Sequence, residues 1–193
     1  MSSRVDAERG AAAAETPPPV IVVMGVAGSG KTTVATILAN TYRADFIDAQ
    51  DLHTPSNRRR LSQGIALTDH DREPWIAAVS ERIGSGTRAS RPLVIACSAL
   101  KRTYRDRLRE SGPAVFVHLV GERWQIVDRL GPVTQQRLLA PLLESQFAAL
   151  EPLADDEEGF AVRVTAPVSE VVSEVVRRLA ETPVPMKSKR ITL

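Results

Sequence analysis

The sequence is nearly without cysteine: Cys97 is its single thiol. An intrachain disulfide is excluded, and a reducing compartment is expected. Net charge is also nearly missing. At +2 it leaves no electrostatic footprint for nucleic acid or an anionic membrane, and a few phosphate-handling arginines would account for it equally well. No apolar run approaches the ~20 residues needed to span a bilayer. Near the N-terminus, Arg4, Asp6, Glu8 and Arg9 precede four alanines and Glu15. That apolar stretch is too short, and too closely flanked by acids, for a secretory signal. No internal repeat occurs. The expectation is a cytoplasmic protein with a small-molecule partner, and with neither nucleic acid nor membrane as a partner.

What is present points to one domain. A chain of 193 residues suffices for a single α/β core and is short for two. Residues 1–19, rich in Ser, Ala and Pro, read as a disordered leader, and residues 182–193 as a flexible tail. Between them, residues 20–181 alternate apolar strands with amphipathic helices. Val20–Met24 and residues 92–97, 114–119 and 160–164 read as buried strands, and residues 46–48 as the end of another. This alternation predicts a three-layer α/β domain with a parallel five-stranded sheet. Residues 64–74 read as a loop and 84–91 as a flexible link. After Gly131-Pro132, the polar stretch to Pro141 is placed to act as a lid, about residues 131–141.

The organising motif is Gly25-Val26-Ala27-Gly28-Ser29-Gly30-Lys31-Thr32, between the first strand and a helical pattern that runs through Tyr42. A strand, a glycine-rich turn and a helix form the context that makes G-x-x-x-x-G-K-[ST] a phosphate-binding loop. Gly25, Gly28 and Gly30 let successive N–H groups turn inward, and the helix N-terminus adds positive potential. Ser29 and Thr33 fall in the same turn. Lys31 is of a length to reach the β- and γ-phosphates, and the Thr32 hydroxyl to ligate Mg²⁺. ATP and Mg²⁺ are the expected ligands.

Asp48 and the stretch Ser98-Ala99-Leu100-Lys101 fall at the expected carboxyl ends of strands, where α/β sheets bind ligands. Asp48 either meets metal or substrate there, or caps the following helix. Arg72 either binds an anionic substrate group or pairs with Asp69 or Asp71. In Arg58-Arg59-Arg60 at least one or two guanidinium groups must face water. His118 reads as a core histidine.

Two further sets of blocks carry a resemblance. One is Asp48-Ala49-Gln50-Asp51-Leu52-His53, with Asn57 and then Gly64 through Trp75, including Asp69-His70-Asp71-Arg72-Glu73-Pro74-Trp75. The other is Cys97-Ser98-Ala99-Leu100-Lys101 through Asp106, then Leu142-Leu143-Glu144-Ser145-Gln146-Phe147 and Leu150-Glu151-Pro152. In this order they closely resemble the gluconate kinase family, from Val20 to about Leu179. The resemblance implies a P-loop NTPase of nucleoside-monophosphate-kinase-like fold with a lid. It also implies Mg-ATP as donor, gluconate as acceptor and 6-phosphogluconate as product; homodimers are common in the family. Carried over by position, Lys31, Asp48 and Arg129 would be catalytic. Gln50, His53, Arg60, Arg72, Lys101 and Arg105 would face the substrate. Departures from the family pattern fall at Gln50, where an acid is usual, and at Val133 and Gln136 in the lid; Arg60 replaces a lysine. The alternative these departures leave is a divergent member acting on another polyol, sugar acid or cyclitol, or a catalytically weak nucleotide-binding relative.

Overall fold

A computed structural model describes residues 20–89 and 91–182, with residues 133–138 described by their backbone alone. The leader and all of the tail beyond Thr182 lie outside the described residues.

Five parallel strands form the sheet: β1 (Val20–Met24), β2 (Asp45–Asp48), β3 (Leu93–Ala96), β4 (Val115–Val120) and β5 (Gly159–Arg163), in the order β2-β3-β1-β4-β5. The central strand β1 has no polar residue and is buried throughout, as a strand covered on both faces should be. Its side chains alternate between two cores. Ile21 and Val23 pack with Val34 and Leu38 of α1 (Lys31–Tyr42) and with Val171, Val175 and Leu179 of α7 (Val168–Glu181). Val20, Val22 and Met24 pack with Ile76, Val79 and Ile83 of α3 (Asp69–Arg88) and with Leu108 of α4 (Arg102–Ser111). The expected three-layer α/β architecture is therefore present. Register pairs Val23 with Ala96 and Ala96 with Asp48. This alignment delivers the glycine loop, Asp48 and residues 97–101 to a single edge.

Three sequence expectations are corrected. Residues 64–74 are not all loop, because α3 begins at Asp69. Thr68 and Asp71 form a reciprocal capping box there, each side chain bonded to the other's backbone N–H, which starts the helix upstream of Pro74. Residues 84–88 are not part of a flexible link, since α3 continues through Arg88. Gly86 serves close packing: a Cβ there would lie 2.6 Å from the Leu93 side chain. Finally, residues 133–149 form one helix, α6 (Val133–Ala149), with Pro141 inside it. Burial of Leu142 and Leu143 offsets the backbone hydrogen bond that an internal proline removes. Residues 133–141 of the expected lid are thus helical, while the side chains of Val133 and Gln136 lie outside the described residues.

The remaining helices are α2 (Pro55–Ser62), capped by the Thr54 hydroxyl, and α5 (Arg123–Asp128). His118 is buried on β4. Burial, with the charge of Arg105 adding to it, lowers its pKa to about 4, so it is a neutral core residue. Among the described residues no helix is long and apolar enough to cross a membrane.

Candidate active site

The glycine loop closes on itself as the motif requires. Gly25 has φ 140°, and a Cβ there would lie 2.7 Å from the Leu119 carbonyl oxygen, so glycine is required at that point. Gly30, at φ 93°, is the N-cap of α1 and has no side chain to occupy the helix end. The first N–H groups of α1 are thus left to a ligand. Lys31 folds back over the loop, its Nζ donating to the Val26 carbonyl at 2.9 Å. Burial lowers its pKa to about 8, with nearby Asp48 only partly offsetting this.

A bound triphosphate stabilises the charged ammonium and so raises that pKa. Affinity for Mg-ATP is therefore full below pH 8 and falls as the free protein loses the Lys31 proton above it. Titration calorimetry between pH 7 and 9.5 checks this; a flat affinity would contradict the role given to Lys31.

Of its two sequence alternatives Asp48 shows the capping one, and it also reaches the glycine loop at Thr32. One carboxylate oxygen accepts from the Thr32 hydroxyl at 2.7 Å, and the other accepts from the Gln50 N–H at 2.9 Å, capping the single 3₁₀ turn Ala49–Leu52. Among the described residues no group of three or more His, Cys, Asp or Glu could hold a metal. Thr32 beside one carboxylate instead fits Mg²⁺, which binds through one or two protein oxygens together with phosphates and water.

These groups line a cleft of about 460 Å³ together with Thr33, Gln50, His53, Arg72 and Lys101. His53 stacks on Trp75 at 4.7 Å, and the Trp75 indole N–H is fixed on the Ala49 carbonyl. Burial, and then the charge of Arg72, lowers the His53 pKa to about 4. The ring is neutral at pH 7, and its Nδ1 is buried without a hydrogen-bond partner among the described residues. Arg72 shows the pairing alternative, 3.4 Å from Asp69, while it also lines the cleft. Asp69 in turn accepts from Lys101 at 2.6 Å and from the Tyr104 hydroxyl at 2.5 Å. Those two hydrogen bonds hold its carboxyl below the usual range, and the bond from Lys101 to Asp69 raises the Lys101 pKa. Two cations against one carboxylate leave this wall positive.

Three expected site residues lie elsewhere. Arg105 is fully buried. It forms a two-pronged ion pair with Glu157 and donates to the carbonyls of Ala99, Leu100, Glu151 and Pro152. Every arm of its guanidinium is used, so it braces the cleft rather than binding substrate. Arg60 pairs with Asp71 at 2.8 Å and donates to Ala66, which ties α2 to the start of α3 away from the cleft lining. Arg129 donates to the Val164 carbonyl and does not line the cleft in this conformation. Ser29 is buried, with its hydroxyl unpartnered among the described residues. Sequence reasoning also missed residues. Tyr104 gave no signal beyond its block, Asp69 was expected only as a partner for Arg72, and Gln146, whose Oε1 accepts from the Ala27 N–H at 2.6 Å, is separated from the loop by most of the chain.

Comparison with known proteins places this geometry. The family model described as an AAA domain matches residues 20–120. A gluconokinase of Gluconobacter oxydans (strain 621H) is 40% identical over 83% of this chain and 90% of its own length. The chain belongs to the gluconokinase family. The thermoresistant gluconokinase of Escherichia coli (strain K12) is 36% identical over 81% of this chain and 91% of its own. The crystal structure of a gluconokinase from Sinorhizobium meliloti 1021 superposes with a TM-score of 0.77, at 42% identity over 85% of this chain and 93% of that one. Family membership makes the protein a kinase, and the P-loop kinase fold that the resemblance implies is the fold observed.

Proposed function

We propose that this enzyme transfers the γ-phosphate of ATP to the terminal hydroxyl of gluconate, yielding 6-phosphogluconate and ADP. The observation that carries this reading is the two-sided cleft. Lys31, Thr32 and Asp48 stand on a phosphate wall, and Arg72, Lys101 and neutral His53 on a wall suited to a polyhydroxy acid. Arg72 and Lys101 balance the acceptor's carboxylate. The Nδ1 of His53, without a partner among the described residues, suits a hydroxyl rather than a charge.

The loop amides and Lys31 hold the triphosphate, and Thr32 and Asp48 would hold Mg²⁺, which when bound neutralises charge across the β- and γ-phosphates. The acceptor oxygen forms the new P–O bond as the bond from phosphorus to the β–γ bridging oxygen breaks. ADP leaves with that electron pair. Gln50 accepts a hydrogen bond from the acceptor hydroxyl and orients it, but it cannot take the proton at neutral pH. The proton passes to Asp48, the one carboxylate among the described residues that line the cleft. Arg129 is the residue to approach the transferring phosphate if the segment beyond α5 closes. The reaction takes place in the cytoplasm, where ATP is abundant and Cys97 stays reduced.

A panel of acceptors assayed for ADP formation tests the substrate. Gluconate should give the highest kcat/KM, and a neutral polyol of the same length should lose at least tenfold, on the order of one charged hydrogen bond. Preference for a neutral polyol or a cyclitol would overturn the assignment. Gln50→Asp places a base beside the acceptor and should raise kcat on gluconate by about tenfold or more, the lower reach of general-base catalysis. Unchanged or reduced kcat would show that Asp48 already suffices.

A further inference from the structure

The peptide unit joining Val26 to Ala27 is gripped from both sides. Its carbonyl accepts from Lys31 Nζ at 2.9 Å, and its N–H donates to Gln146 Oε1 at 2.6 Å. Lys31 comes from α1 and Gln146 from α6, so two distant helices hold one peptide of the phosphate loop. The orientation of the Gln146 carboxamide follows from chemistry, because a backbone N–H requires its oxygen end. Its nitrogen end therefore faces away from Ala27, and no described residue accepts from it.

The surroundings indicate what should accept. Four described residues of α6 line the cleft: Leu139, Leu142, Gln146 and Ala149. Gln146 is the polar one. The lysine of such a loop serves the β- and γ-phosphates, and here its ammonium rests on the peptide that Gln146 holds. A side-chain N–H pair anchored at that peptide is placed for the outer end of a triphosphate rather than its inner phosphates, which fall to the amides at the start of α1. The base of α6 is fixed as well. The Glu151 N–H donates to the Leu100 carbonyl at 2.9 Å, and the Glu151 carboxylate accepts from the Arg102 N–H at 2.5 Å. Gln146 is thus held at one end by the loop and carried on a helix tied at its foot, which limits the entropy lost on binding.

We propose that Gln146 is a binding residue for the terminal phosphate of the nucleotide, its Oε1 held by the Ala27 N–H and its Nε2 donating to a γ-phosphate oxygen. This rests on the kinase reading of the cleft but not on gluconate as acceptor. It makes α6 responsive to whether a triphosphate or a diphosphate occupies the loop.

The test is calorimetric titration of Mg²⁺ with the imido analogue of ATP, and separately with ADP, on wild type, Gln146→Met and Gln146→Ala, without acceptor. Met keeps the length of glutamine without its donor or acceptor. Both variants should bind the triphosphate analogue about tenfold more weakly, on the order of one hydrogen bond to a charged group, and should bind ADP within twofold of wild type. A merely structural role would weaken both ligands equally, and that result would overturn the proposal. So would unchanged affinity for both. Tighter triphosphate binding by the variants would also overturn it, by showing that Gln146 competes with phosphate for Ala27. Because no acceptor is present, a failure of gluconate turnover in the wild type would leave this result standing.

Discussion

Replacing Lys31 with alanine lowers kcat for ATP-dependent phosphorylation by about a thousandfold or more, with the melting temperature no lower than wild type. The rate effect follows from position. Nζ lies over the loop at the Val26 carbonyl, and removing one preorganised donor to developing charge typically costs ~10²–10³; in phosphoryl transfer, where positioning and charge stabilisation are nearly the whole of catalysis, the loss sits at or above the top of that range. The stability effect follows from environment. Burial lowers this ammonium's pKa to about 8, so the folded state holds a cation it partly desolvates, and alanine removes that cost. Steady-state kinetics beside a thermal melt measures both. Full turnover by Lys31→Ala would remove the loop from the mechanism, and a collapse in melting temperature would make Lys31 structural.

Arg105→Met produces the largest loss of stability, about 3 kcal/mol, because it takes the two-pronged partner from a buried Glu157 carboxylate and leaves it only Arg109 at 3.2 Å and the Ala154 N–H. Both side chains are fully buried. Burial alone would raise the Glu157 pKa, but the hydrogen bonds from Arg105 and the Ala154 N–H, with the charge of Arg109, bring it down to about 2. The same guanidinium holds Ala99, whose φ of 41° lies in the left-handed region, and so fixes the turn that presents Lys101 to the cleft. The double variant Arg105→Met, Glu157→Gln should recover part of the loss, since it removes a buried charge left with Arg109 alone as its ionic partner. Arg105→Lys should not, because a lysine cannot make the two-pronged pair. Urea unfolding measures all three. A loss below about 1 kcal/mol for Arg105→Met would mean the buried pair contributes little.

The two roles of arginine in this chain show where sequence reasoning stops. Arg72 and Arg105 occupy neighbouring blocks of the same resemblance and look alike as charges, yet one lines the cleft and the other is enclosed by it. The partner that encloses Arg105 lies 52 residues away in a stretch that reads as a featureless acidic loop, so no local pattern announces it. What local pattern could fix came through: the apolar runs of β1 and β3, the strand–turn–helix setting of Lys31 and Thr32, and the place of Asp48 at a strand end. The start of α3 is legible in principle from Thr68 and Asp71, whose spacing suits a capping box, even though Pro74 follows inside the helix. The continuity of α6 was not legible, because Pro141 ordinarily signals a break and only the burial of Leu142 and Leu143 overrides it. Gln146 is the clearest case of a contact that exists only in three dimensions.

The central claim is that one cleft joins a phosphate loop to an acceptor wall built for gluconate. The most direct measurement is ADP release by the purified protein with Mg-ATP, with and without gluconate, and with the product identified by mass. The account predicts gluconate-dependent ADP at about 1 s⁻¹ or faster, matched one to one by 6-phosphogluconate. ADP release that gluconate does not stimulate, from protein that still binds ATP, would contradict it.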